Sequence, residues 1–136
     1  MPDRGAFSNP GAEVTPLGVV ETFLAAYNNK DLDQITRLLA DEIHMVHYGR
    51  DIDISGADQV LTLLTRSAEG AFPDRRFHSR RRRLVDGDHV IVEQAWSATA
   101  EVDVPGYARA GETVAMNLCT IFTVTAGRIV EYVEYG

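Results

Sequence analysis

Two residues near the ends of separate strand-like runs carry the acid/base chemistry this sequence can offer. His47 closes the run Ile43 to Tyr48, where Ile43, Met45 and His47 share one face and His44, Val46 and Tyr48 the other. A histidine ending an apolar row sits half in and half out of the interior, and its ordinary pKa near 6.5 suits proton transfer at neutral pH. Glu134 lies in the last run, on one face with Val130 and Tyr132, opposite Ile129, Val133 and Tyr135 with Glu131. A carboxyl in an apolar site has its pKa raised toward the range a general acid or base requires. The structural alternative is a hydrogen-bonded rim histidine and a solvated or salt-bridged glutamate.

A third run, His89 to Val102, places Val90, Val92, Gln94, Trp96, Ala98, Ala100 and Val102 on one face. That face is apolar except for the Gln94 amide and the Trp96 indole N–H, and buried polar groups of this kind need a partner. The partner is either a neighbouring protein group or a ligand. Alanines beside Trp96 favour a concavity. The candidate catalytic pair is therefore His47 and Glu134, with Tyr27, Tyr48, Gln94, Trp96, Asn117 and Tyr132 as candidate ligand contacts.

Other reactive types read as structural. His44, His78 and His89 show no ligand spacing; His44 and His47 are three apart on a strand, hence on opposite faces, so no metal is expected. The single Cys119 excludes an intrachain disulfide and reads as a small buried thiol. Six of the twelve arginines fall between Arg75 and Arg83. Alternation across a strand sends them both ways, and a solvated, ion-paired sheet face or a charged edge strand explains them. Attraction of an anionic partner is the functional alternative.

The elements that must position these residues follow from the local signals. Thr15-Pro16 is an N-cap followed by proline at the first helical position, and Val20, Phe23, Leu24 and Tyr27 continue at helical spacing until Asn28-Asn29. Asp31 with Gln34 opens a short second helix through Ile35, Leu38 and Leu39. Ser55 caps a third, from about Gly56 to Glu69. After Pro73 the chain reads as strand: Arg75 to Val85, the turn Asp86-Gly87-Asp88, His89 to Val102, a Pro105-Gly106 loop, Glu112 to Val124, a turn at Thr125-Ala126-Gly127, and Arg128 to Tyr135. Helices followed by a strand meander predict an α+β domain over residues 14–136, with residues 1–13 as a flexible tail.

With 136 residues, 45% hydrophobic and 24% charged, the chain is sized and composed for one globular domain. A net charge of −7 argues against nucleic acid, and no apolar stretch approaches the roughly 18 residues of a membrane span. The first residues lack an apolar segment, and the expectation is a cytoplasmic protein.

The segments FLAAYNNKDLDQITRLLADEI, GADQVLTLLT, AFPDRRF, VDGDHVIVEQAWSATA, GETV and TAGRIVEYVEY together resemble the SnoaL-like branch of the nuclear transport factor 2-like superfamily. The resemblance spans Val14 to Gly136. It implies a cone-shaped, curved antiparallel sheet packed on three N-terminal helices, a deep apolar pocket and a homodimer formed through the sheet. The scaffold hosts several activities. Where ketosteroid isomerases carry an aspartate base with tyrosine and aspartate donors, this chain has His47, Phe23 and Cys119. Where limonene epoxide hydrolases carry an Arg-x-Asp pair, it has Gln94 and Trp96; their last-strand aspartate falls near Glu134. Polyketide cyclases of the SnoaL type need an acid/base that Glu134 or His47 can supply. The resemblance thus implies cofactor-free acid/base chemistry on a small apolar, polyketide- or terpenoid-like ligand, or a non-catalytic module binding such a ligand.

Overall fold

A computed structural model describes residues 15–136, with the side chains of 79–81 outside that description. The proposed tail over residues 1–13 and the side chains of Arg80 and Arg81 therefore lie outside the described residues.

The first helix, α1 (Pro16–Asn29), begins where Thr15 Oγ1 accepts from the Gly18 N–H at 3.0 Å, with Pro16 in the first turn. It buries Val20, Phe23, Leu24 and Tyr27 and stops at Lys30, whose left-handed φ of 57° closes the last turn. Asp31 then accepts from the Gln34 N–H at 3.1 Å to start α2 (Leu32–Leu38). The helix ends one residue earlier than its apolar pattern predicts. Leu39 is extended and pairs with Ile129, so strand β1 (Leu39–His47) begins four residues before Ile43. Tertiary pairing overrides the weak helical preference of one more leucine.

After β1 come a 3-10 turn (Tyr48–Arg50) and a short strand β2 (Ile52–Ser55), which periodicity alone did not reveal over so few residues. Ser55 does not cap the next helix; it pairs with His44 in the sheet, and Gly56, at φ 96°, occupies the cap position. Helix α3 (Ala57–Arg66) continues through a π turn (Ser67–Ala71). The remaining strands are β3 (Arg76–Asp86), β4 (His89–Thr99), β5 (Thr113–Thr125) and β6 (Arg128–Tyr135), each within three residues of its expected bounds.

The six strands form one sheet in the order β2-β1-β6-β5-β4-β3. It is antiparallel except between β1 and β6, which run parallel. That exception corrects the expected all-antiparallel sheet. β1 precedes the meander and β6 closes it, so the whole of α3 and β3–β5 serves as the long crossover that parallel neighbours need. The helices lie against one face, and Phe23 of α1 meets Phe122 and Tyr132 of the sheet edge-on, at ring separations of 5.9 and 5.6 Å. Ile129 was expected opposite Tyr132 but is buried with it. Thr123 pairs with Glu131 and Val124 with Ile129, so Val130 is an extra residue, and the bulge returns Ile129 to the core.

Candidate functional site

The parallel pairing of β1 and β6 sets His47 directly opposite Glu134. Both side chains turn inward, with residue exposures of 8% and 6%. His47 Nε2 lies 3.1 Å from Glu134 Oε2. The other carboxyl oxygen, Oε1, accepts from Thr120 Oγ1 at 3.0 Å and from the Tyr132 hydroxyl at 3.2 Å. With Oε1 occupied by two donors, Oε2 is the position at which a proton is shared with the imidazole.

Burial governs the protonation of this pair. Removal from water pushes the Glu134 carboxyl up to about 7, against the opposing pull of the Thr120 and Tyr132 hydroxyls and of the Arg50 charge. The same burial, helped by Arg50, lowers the pKa of His47. Both shifts disfavour charge. Below neutrality the favoured state is a protonated carboxyl donating to a neutral imidazole. Once Glu134 ionises, Nε2–H donates to the carboxylate and Nδ1 becomes a bare lone pair. Nδ1 is buried and has no partner in the described protein.

The pair lines a pocket of about 60 Å³ whose walls are mainly apolar, among them Met45, Leu64 and Phe77. Tyr27, Trp96 and Tyr132 also line it. Trp96 Nε1 donates to the Tyr27 hydroxyl oxygen at 2.8 Å, so the Tyr27 proton must point elsewhere. Burial pushes the Tyr27 hydroxyl up to about 12, opposed by Arg75 and by the Trp96 hydrogen bond. Tyr27 therefore keeps its proton at neutral pH and remains a donor. Tyr132 is raised well above its ordinary value, first by burial and then by Glu134.

Of the eight residues singled out in sequence, His47, Glu134, Tyr27, Trp96 and Tyr132 converge on this pocket. Tyr48 does not: it is 61% exposed and stacks on Tyr135. Asn117 is exposed on β5, beside Ala95 on the outer face of the sheet. Gln94 faces inward but lines a separate cavity between α1 and β3, with Leu24, Asn28 and Phe77; both amide atoms lack partners among the described residues.

Two arginines were not singled out individually. Arg50, on the turn after β1, lines the pocket. Nothing periodic marks a residue in a three-residue turn. Arg75, expected in the solvated arginine run, is only 2% exposed. It precedes β3, and its guanidinium lies 3.7 Å from the Tyr27 ring centroid while donating to the Tyr27 carbonyl oxygen at 2.9 Å. It thus satisfies a carbonyl at the C-terminal end of α1. Farther along, Arg82 pairs with Glu93 on the neighbouring strand β4, and Arg83 pairs with Glu21 of α1. His44, His78 and His89 bond to Asp53, Ser97 and Thr123.

Comparison with known proteins agrees with this architecture. A family model described as a SnoaL-like domain matches residues 20–132. No curated protein matches the chain. Among solved structures, an LEH-like epoxide hydrolase from M. tuberculosis is 25% identical, with a TM-score of 0.70 over 92% of this chain and 82% of its own. A candidate polyketide cyclase from Pseudomonas putida KT2440 is 18% identical, with a TM-score of 0.79 over 90% of this chain and 91% of its own. A protein with a ketosteroid isomerase-like fold from Catenulispora acidiphila DSM 44928 is 17% identical, at 0.70 over 87% and 84%. The last two likenesses establish fold alone.

Proposed function

From the premise that this chain belongs to the SnoaL-like domain family, we propose that it is a cofactor-free acid/base enzyme acting on a small apolar molecule bearing a carbonyl or an epoxide, polyketide- or terpenoid-like in character. The observation that carries this reading is the buried His47–Glu134 pair, 3.1 Å apart on the floor of an apolar pocket. A carboxyl poised near neutrality beside an imidazole is matched to proton transfer, because a catalytic group works best with its pKa near the operating pH. With Glu134 ionised, His47 Nδ1 takes a proton from carbon or from an attacking water, and Glu134 holds the resulting imidazolium. Tyr27 O–H donates to the substrate oxygen as negative charge develops there. Trp96, bonded to the Tyr27 oxygen, fixes the direction of that donor.

A substrate-independent test follows α-proton exchange of small cyclic ketones in D₂O by NMR, together with diol formation from styrene oxide. We expect turnover in the wild type and a fall of roughly 10²–10⁴-fold in His47→Ala and Glu134→Gln. Turnover unchanged in both variants refutes the assignment.

A second reading, a ligand-binding module, is favoured by Gln94 and Trp96 standing where epoxide hydrolases carry their Arg-x-Asp pair. Ligand binding with no turnover on either substrate class supports it. The protein is further proposed to pair with a second copy through the outer face of the sheet. Val46, Val133, Ile121 and Ile91 lie in register there as an apolar row across four strands. Light scattering tests this, and Ile121→Glu is expected to leave a monomer.

A further inference from the structure

Arg50 ends the turn after β1, three residues beyond His47, and lines the same pocket. Its guanidinium carbon sits 4.3 Å from the Tyr107 ring centroid and 5.8 Å from that of Phe72. No described carboxylate comes within ion-pair distance of it, although the chain holds 20 acidic residues. Contrast Arg82 and Arg83, which both find glutamates, Glu93 on β4 and Glu21 on α1. A guanidinium laid over aromatic faces is held by their quadrupoles while its N–H edge stays free. That edge is the planar fork that matches a carboxylate with two parallel hydrogen bonds.

Residue exposure gives the pocket a direction. Arg50, Ile52, Leu63 and Ser67 are partly exposed and mark its mouth; Tyr27, Tyr132 and Glu134 are buried and mark its floor. A ligand entering with its apolar end foremost leaves its other end at Arg50. We propose that Arg50 is a specificity-determining residue, and that the ligand of this pocket is an apolar body carrying a single carboxylate, held at the mouth by the Arg50 guanidinium. This deepens the acid/base reading, on which it rests for the identity of the site. Below neutrality Glu134 holds its proton, so the floor presents no opposing negative charge to such a ligand.

Trp96 is the one tryptophan of the chain and lines the pocket, so its fluorescence reports occupancy. Phenylacetate and its neutral isostere phenylacetamide are titrated against the full-length protein at pH 6. The wild type is expected to bind the carboxylate about tenfold more tightly, the scale of one charge-assisted hydrogen bond. Added salt should weaken the carboxylate and leave the amide unchanged. Arg50→Gln should bring the two affinities within about twofold, and Arg50→Lys should keep part of the preference, which separates lost charge from lost stacking on Tyr107. Equal binding of both compounds by the wild type, binding of neither, or an undiminished preference in Arg50→Gln overturns the proposal. In Glu134→Gln the preference should persist, because it belongs to Arg50. A carboxylate preference in a wild type that shows no turnover would instead remove the enzymatic reading and leave the carboxylate site standing.

Discussion

Replacing Glu134 by glutamine should make the protein less sensitive to rising pH, and the size of the effect follows from burial. In the unfolded chain this glutamate titrates near 4.5; in the folded protein it titrates near 7. The folded state therefore binds the proton more tightly, and between those values it holds more protons than the unfolded state. Stability from this group is complete below pH 4.5 and is lost as pH rises to about 7. At roughly 1.4 kcal/mol per pH unit, the interval corresponds to a loss of about 3 kcal/mol. His47 acts in the opposite sense. Its lowered pKa means the unfolded chain binds that proton more tightly, so its contribution rises with pH until about 6.5. Glutamine fits the same place: its oxygen accepts from Thr120 and Tyr132, and its amide donates to the His47 Nε2 lone pair. Subtracting wild type from variant at each pH removes most of the His47 contribution, since that residue is common to both. Denaturant unfolding from pH 4 to 8 should show the Glu134→Gln advantage growing by about 3 kcal/mol between pH 4.5 and 7 and level beyond. A difference that stays flat, or that grows in favour of the wild type, refutes the argument that burial holds the proton on Glu134.

Thr120→Val removes one of the two donors that stabilise the Glu134 carboxylate, so the carboxyl should titrate higher still; the test is an upward displacement of the midpoint in the same unfolding series, or of the pH–rate profile once a substrate is known. Trp96→Phe leaves the Tyr27 oxygen without its donor and should cost about 1–3 kcal/mol, checked by denaturant unfolding at matched slope. In the Trp96→Phe/Tyr27→Phe double variant the two costs should be less than additive, because one hydrogen bond is shared between them.

Sequence periodicity resolved the fold wherever the signal was long. Thr15 with Pro16, Asp31 with Gln34, and the turns at Asp86-Gly87 and Ala126-Gly127 all mark boundaries that the structure keeps, because each names a backbone conformation and not only a polarity. What was not legible came from pairing between distant strands. Leu39 leaves its helix to meet Ile129, Ser55 joins a four-residue strand, and the bulge at Val130 reverses the facing of Ile129. Each depends on the register against a partner strand, which alternation within one strand does not encode.

The same division explains the site. A period of two showed which residues share a face with His47, Trp96, Tyr132 and Glu134, and the helical stripe did so for Tyr27, but it left open which of His47 and Glu134 faces the pocket. Their convergence could not be read, because it requires β6 to lie beside β1 in parallel, with His47 opposite Glu134. Gln94 shows the limit of the face argument. It sits on the interior face as alternation requires, yet opens into a different cavity from Trp96 two residues along, because Phe77 and the α1 residues Leu24 and Asn28 enclose it. Arg50 shows the converse. A turn has no periodicity, so its most informative property, a cation stacked on Tyr107 with no described carboxylate within ion-pair distance, exists only once the loop carrying Tyr107 has folded across to meet it. The residues that could do chemistry were thus separable by type and face, whereas the residue proposed to choose the ligand is defined entirely by what surrounds it.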